Sequence, residues 1–490
     1  MAVVALVTFT TPELQARVRS ATSAVGTPAL AWQDCGDGFQ CATLKAPLDY
    51  RHRNATQIDI ALVRRPAESP AIRIGSLVTN PGGPGLSGID ELRRTATGYP
   101  PEVRARFDLV SFDPRGVGAS TRVQCLDPAE LHALNTLDVS PDAPEKREAL
   151  IAGFQHLAEA CQQRSGALLP FVSTPNVARD MDRIRDALGD TKLTYVGYSY
   201  GTYLGAQYAQ LFPKRARALV LDGAVTPRLG NEALLLDQAT AYEQALQAFF
   251  ADCAAETDCR LASRGEPAGA FDELMARVER EGVPARAFGD RRLTPGEIET
   301  AVPAMLTGGE PFWPAMATVL SRAAAGDASG LVSIADAVEQ TIDPQAYFAI
   351  VCPDLPLAPS QGIEAVPALV ERARQTAPHF IFGVNGVATA CATWPLHPGP
   401  PPSLRAKGAS PIVVIGTRGD PATPFAWAEV LTRQLKSAVL LSAPGFSHTS
   451  FAMGRESSEQ IPVPAKTCVD DLTVRYLVDL QAPANGTTCE

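Results

Sequence analysis

Histidine is scarce in this sequence, with six among 490 residues, and basic residues are outnumbered, 43 Lys and Arg against 53 Asp and Glu. The resulting formal charge of −10 works against nucleic acid and anionic membrane surfaces as partners, because basic patches carry the recognition of both. No lysine or arginine stripe, internal repeat or heptad seam runs along the chain, and no stretch approaches the roughly 20 apolar residues that span a bilayer. The chain has no Cys-x-x-Cys pair and its histidines are scattered, so no metal is expected and no organic cofactor is implied. Apolar residues are plentiful at 46%, which suffices for a large core and fits no disordered class.

The most informative stretch that is present is Gly197-Tyr198-Ser199-Tyr200-Gly201. It follows the apolar run Leu193, Tyr195, Val196 and precedes the small-residue segment Thr202-Tyr203-Leu204-Gly205-Ala206. Between a strand and a helix, G-x-S-x-G marks a turn so tight that small residues must flank the serine, whose hydroxyl is lifted above the sheet. The N–H of Tyr200, at the helix start, is then placed to donate to a developing oxyanion.

A serine hydroxyl needs a base and an acid that orients it. His52, His132, His156, His379 and His397 lie in turns, polar helical patterns or proline-rich surroundings. His448 instead follows the apolar strand Ala438–Leu441 and the loop Pro444-Gly445-Phe446-Ser447. Upstream, Pro411–Gly416 reads as a buried strand that ends at Asp420. Ser199, Asp420 and His448 thus follow the Ser, Asp, His order of α/β-hydrolases. Asp222, after the strand Ala218–Leu221, is a rival acid; Asp420 is favoured because its strand precedes the one that delivers the histidine. The second oxyanion donor is expected at Gly82 or Gly83 in Asn80-Pro81-Gly82-Gly83-Pro84-Gly85, since Pro84 has no N–H. The loop Asp113-Pro114-Arg115-Gly116-Val117-Gly118 lacks the lysine of a phosphate loop and reads as a structural turn.

These segments, with Gly416-Thr417-Arg418-Gly419-Asp420-Pro421, Gly445-Phe446-Ser447-His448-Thr449 and the stretch Cys468 to Cys489, resemble the secreted tripeptidyl aminopeptidases of actinobacteria, relatives of prolyl iminopeptidases. The resemblance runs from about Cys35 to Cys489. It implies a mostly parallel α/β-hydrolase sheet and hydrolysis near free amino termini. Pro81 stands where prolyl iminopeptidases have a histidine, which points to the tripeptidyl branch.

About 190 residues separate the strand ending at Leu221 from the one starting at Pro411, where a crossover needs only about a dozen. Their patterns are mainly helical (Ala233–Ala255, Ala268–Arg280, Pro295–Leu306, Trp313–Ala324, Leu331–Ile342), so a lid is expected over 227–405, between core segments 31–226 and 406–490. Residues 1–30 read as an N-terminal extension or signal remnant: Ala2–Phe9 is apolar, without a preceding Lys or Arg or a clear cleavage site. The ten cysteines fall into close neighbours (35 and 41, 125 and 161, 253 and 259, 352 and 391, 468 and 489). That points to disulfides and an exported, extracellular protein, with connectivity left open.

An exopeptidase needs a carboxylate for the substrate's α-ammonium. Asp354 is the first candidate and Glu310 the second. The expected protein is a monomeric, secreted serine exopeptidase that takes a peptide with a free amino terminus and releases tripeptides. An esterase or amidase for a small metabolite is the alternative, and a binding protein that has lost catalysis a third reading.

Overall fold

The computed structural model describes residues 29–490 apart from 53–55, 140–142, 258, 263–265, 356–361, 397–402 and 453–466. The expected signal remnant therefore lies almost wholly outside the described residues, as does His397.

A ten-stranded sheet organises the chain, in the order β1-β2-β3-β5-β4-β6-β7-β10-β11-β12. Its first edge is antiparallel: β1 (Gln33–Asp34), β2 (Gln40–Pro47) and β3 (Gln57–Arg65), with β3 antiparallel to β5 (Phe107–Phe112). The remainder is parallel: β5, β4 (Gly75–Asn80), β6 (Leu193–Tyr198), β7 (Ala216–Asp222), β10 (Ile412–Thr417), β11 (Ala438–Ala443) and β12 (Thr487–Thr488). A small antiparallel pair, β8 (Val283–Pro284) and β9 (Arg292–Leu293), lies elsewhere.

The sequence dictates this arrangement through burial. Every residue of β4, β5, β6 and β10 is buried, as expected for parallel strands covered on both faces. Successive side chains point to opposite faces. Val78, Val110, Tyr195, Leu219 and Val414 pack into one core, and their neighbours Leu77, Leu109, Val196, Val220 and Val413 into another. The first core takes in the helices Pro144–Ser165, Thr174–Ala187 and Tyr200–Leu211; the second takes in Gly88–Thr95, Pro101–Arg106 and Cys468–Asp479.

Between β7 and β10 the described residues form eight α-helices, from Gly230–Ala255 to Ile381–Thr393. They enclose an apolar core of their own, centred on Leu246, Phe249, Leu274, Ala301, Leu320 and Leu331. The block sits over loops at the carboxyl ends of the strands. Gln238 Nε2 donates to Ala422 O at 2.6 Å, and the N–H groups of Cys125 and Leu126 donate to Gln345 Oε1 at 2.8 and 2.7 Å. Five disulfides join the close neighbours, Cys35–Cys41, Cys125–Cys161, Cys253–Cys259, Cys352–Cys391 and Cys468–Cys489. Cys352–Cys391 ties the helix Pro344–Asp354 to the helix Ile381–Thr393.

Candidate active site

Ser199 stands between β6 and the helix Tyr200–Leu211 with φ 53° and ψ −126°. This strained left-handed geometry persists only where the surroundings over-determine it. They do so here through close approach: a Cβ on Gly197 would lie 2.3 Å from Gly201 O, and one on Gly201 would lie 2.7 Å from Asn80 O. Ser199 N–H donates to Asp222 O at 2.9 Å, while Thr202 donates to Ser199 O from its N–H at 2.9 Å and its hydroxyl at 2.6 Å. Replacing either glycine would push the serine out of this turn.

His448 and Asp420 come together from the loops after β11 and β10. His448 Nδ1 lies 3.0 Å from each Asp420 oxygen. The Asp420 side chain is fully buried and that of His448 is 17% exposed. Asp420 Oδ1 accepts the N–H groups of Ala422 and Thr423, both at 2.9 Å, and Oδ2 accepts the Thr423 hydroxyl at 2.8 Å. Thr423 Oγ1 also lies 3.3 Å from His448 Nδ1. Thr423 was missed in the sequence, although an aspartate whose side chain caps N–H groups two and three residues on is a recognisable turn signal. Burial pulls the His448 imidazole down, but the Asp420 charge and hydrogen bond outweigh it, and the net direction is upward.

No hydrogen bond joins Ser199 Oγ to His448 among the described residues; the imidazole's recorded side-chain partners are Asp420 and Thr423. Such bonds are often long in unliganded hydrolases and tighten with substrate. The helical block helps to hold the histidine loop. His448 N–H donates to Thr307 O at 2.8 Å, and Phe446 N–H donates to Glu310 Oε2 at 3.2 Å.

Asp222, the rival acid, faces elsewhere. Its Oδ2 accepts the N–H groups of Ser450 and Phe451 at 2.9 and 2.7 Å, and its Oδ1 is buried without a partner. Burial pushes its carboxyl up to about 7, against the lowering effect of those two N–H groups. The unfolded chain therefore loses this proton first. The stability contributed by the protonated group is present below about pH 4 and is lost as pH rises through about 7, a swing of up to about 4 kcal/mol. Asp222→Asn is expected to remove this component, so that melting temperature falls less between pH 4 and pH 8 than in the wild type. Parallel melting curves for the two proteins would refute the assignment.

The two glycines named as oxyanion donors are not equivalent. Gly82 N–H donates to Asn80 Oδ1 at 3.2 Å, whereas Gly83 N–H makes no such bond. Tyr200, first in its helix, has an N–H with no acceptor inside the helix. A cavity of about 80 Å³ is bounded by Ser199, Tyr200 and Gly83. The loop Asp113 to Gly118 is structural: Asp113 accepts from Ser87 Oγ and Ala119 N–H at 2.8 Å each, and Arg115 is buried against Asp180.

The carboxylates named for the substrate amine are also placed differently from one another, and neither lines that cavity. Asp354 Oδ2 accepts Thr174 N–H at 2.8 Å and the Tyr200 hydroxyl at 2.7 Å. Burial raises its pKa, with those donors opposing; the group is occupied as a support for the Tyr200 ring. Glu310 is exposed, beside the loop that carries His448.

Comparison with known proteins agrees with this geometry. The α/β hydrolase fold family matches residues 75–265, and the TAP-like protein family matches residues 380–489. The chain is 34% identical to serine protease Hip1 of Mycobacterium tuberculosis, over 96% of this chain and 93% of that one. It is 29% identical to the tripeptidyl aminopeptidase of Streptomyces lividans, over 94% and 86% of the two chains. With carboxylesterase B of M. tuberculosis it shares 31% identity, over 94% and 90%. Extended similarity on both sides of the helical block, together with the elbow serine, makes the conclusion plain: this chain belongs to the tripeptidyl aminopeptidase-like family of α/β-hydrolase serine hydrolases.

Proposed function

We propose that the protein is a secreted serine exopeptidase that releases tripeptides from free amino termini through an acyl-enzyme. The observation that carries the proposal is that the buried His448–Asp420 pair and the elbow serine meet the same end of β7: Ser199 N–H donates to Asp222 O at 2.9 Å, and a Cβ on the next residue, Gly223, would lie 3.1 Å from His448 Cε1. In this reading Ser199 Oγ attacks the scissile carbonyl and His448 takes its proton, while Asp420 holds the imidazole and offsets the imidazolium charge. The oxyanion is received by the N–H groups of Tyr200 and Gly83, which are free to donate; Gly82 shapes the turn instead. His448 then returns the proton to the leaving amine, and water repeats the sequence on the ester.

Similarity to a named serine protease and a named tripeptidyl aminopeptidase over nearly the whole chain favours peptide over simple ester substrates. The esterase reading keeps one relative in its favour. The helical block acts as the lid that chooses the substrate, and Glu310, exposed and at its border with the histidine loop, is the carboxylate with room for an amine. The five disulfides, which persist in oxidising compartments, support export; ten free thiols in protein taken from its native host would overturn it. No helix among the described residues is long and apolar enough to cross a membrane.

Labelling with a fluorophosphonate tests the chemistry. One adduct is expected, on Ser199, and none on Ser199→Ala. A wild-type protein that takes up no label would return the reading to a binding protein.

A further inference from the structure

The cavity bounded by Ser199, Tyr200 and Gly83 has two properties that bear on which peptides are cut. Its wall is uncharged: Leu234, Leu235, Val351, Leu355, Val387 and Trp427 stand beside the polar side chains of Gln238, Tyr347 and Thr423, and no Asp, Glu, Lys, Arg or His among the described residues lines it. Within that wall Asn231, in the first turn of the helix Gly230–Ala255, is 3% exposed, and its Nδ2 is buried with no hydrogen-bond partner among the described residues. Three polar side chains around it are engaged elsewhere: Gln238 Nε2 donates to Ala422 O, Thr423 donates to Asp420 and Tyr200 donates to Asp354.

Buried polar groups are nearly always paired, and an unpaired buried donor is costly unless a ligand completes it. The ligand must bring a neutral acceptor, since a carboxylate entering this wall would lose its water with no cation to replace it. In a peptide that acceptor is a main-chain carbonyl. His448, which serves the leaving amine, does not line the cavity, so the cavity belongs to the acyl side of the scissile bond.

We propose that this cavity receives the uncharged aliphatic side chain of the residue whose carbonyl Ser199 attacks, and that Asn231 Nδ2 donates to a main-chain carbonyl of the same acyl segment. The proposal rests on the peptidase reading above and adds to it the substrate class. The cavity, about 80 Å³ and open on one side, suits a short side chain, and faster cleavage of the Phe than of the Leu substrate below overturns the aliphatic preference.

The test uses fluorogenic amides Ala-Ala-Xaa with a free amino terminus and Xaa as Leu, Phe, Lys or Glu, on the wild-type protein and on Asn231→Leu and Asn231→Asp. Wild-type kcat/KM for Leu is expected to exceed that for Lys and Glu by at least 100-fold. Asn231→Leu should lose roughly tenfold to hundredfold on the Leu peptide, and at least tenfold more than it loses on p-nitrophenyl acetate. Asn231→Asp, which replaces the donor by a charged acceptor, should lose at least as much. Equal or better cleavage of Lys or Glu substrates overturns the apolar assignment. Equal losses on peptide and ester make Asn231 merely structural, and a gain by Asn231→Asp means that the facing group is the substrate amine; either overturns the donor role. Failure of the peptidase reading looks different: no peptide is cut while esters are. The cavity is then read from p-nitrophenyl butyrate against p-nitrophenyl succinate, where preference for the charged acyl group refutes it.

Discussion

Ser199→Ala and His448→Ala are each expected to lower kcat by several orders of magnitude, and the double variant should be scarcely worse than either alone. Groups that act as one unit are not additive: without the base the hydroxyl is a poor nucleophile, and without the hydroxyl the base has nothing to activate. What survives is roughly 10³ to 10⁴ over the uncatalysed rate, from the oxyanion donors and substrate binding. Asp420→Asn should cost about 10⁴ in kcat by presenting the wrong group to His448 Nδ1, whereas Asp222→Asn should cost less than tenfold, because Asp222 bonds to Ser450 and Phe451 and not to the imidazole. Since Asp420 holds the His448 imidazolium above the ordinary imidazole range, acidification should extinguish wild-type activity at a higher pH than a free imidazole would. Near-normal activity in His448→Ala would remove the base assignment, and a larger loss in Asp222→Asn than in Asp420→Asn would reverse the acids.

Acetylating the substrate's amino terminus is expected to lower kcat/KM by about 30-fold to several thousand-fold. The α-ammonium of a bound tripeptide covers its carboxylate partner, and removing one member of such a desolvated pair costs roughly 2–5 kcal/mol, with about 1.4 kcal/mol for each tenfold. Glu310→Gln should abolish most of the preference for free over acetylated peptide while sparing simple esters, which never used the contact. Asp354→Asn should lower all substrates together, because Asp354 supports Tyr200 and does not line the cavity beside Ser199. Kinetics on paired free and acetylated tripeptide amides decide this, and equal cleavage of the two would promote the esterase reading.

The parts legible in the sequence were those with a local signature. The parallel strands carry short apolar segments (Leu77–Val78, Tyr195–Val196, Ala218–Leu221 and Ile412–Ile415), so β4, β6, β7 and β10 could be placed within a residue or two, and the helix Trp313–Ala324 appeared with the bounds expected. The elbow was legible because tight packing leaves only glycine at 197 and 201. Strand order alone favoured Asp420 over Asp222, and Asp420 is the carboxylate within 3.0 Å of His448 Nδ1; the neighbouring cysteines foretold the pairing.

Other features depended on contacts that sequence spacing does not encode. Gly82 and Gly83 are indistinguishable until Asn80 is seen to take the Gly82 N–H. Asp354 was the first candidate for the amine anchor, but position along a helix does not say which way a carboxylate turns, and this one turns to Thr174 and Tyr200. The antiparallel edge β1 to β3 went unread because its strands alternate between buried and exposed positions and carry no chemistry. Asn231 had no signal at all: an asparagine at a helix start is ordinarily a cap, and only the enclosing wall shows its amide unpaired.

The most direct measurement of the central claim is the mass of the first products released from a ten-residue peptide of ten different residues with a free amino terminus. Early time points should contain the amino-terminal tripeptide and the remaining heptapeptide, with neither product formed by Ser199→Ala. First cleavage at any bond other than the third, release of single residues, or an intact peptide in a preparation that hydrolyses p-nitrophenyl esters would contradict it.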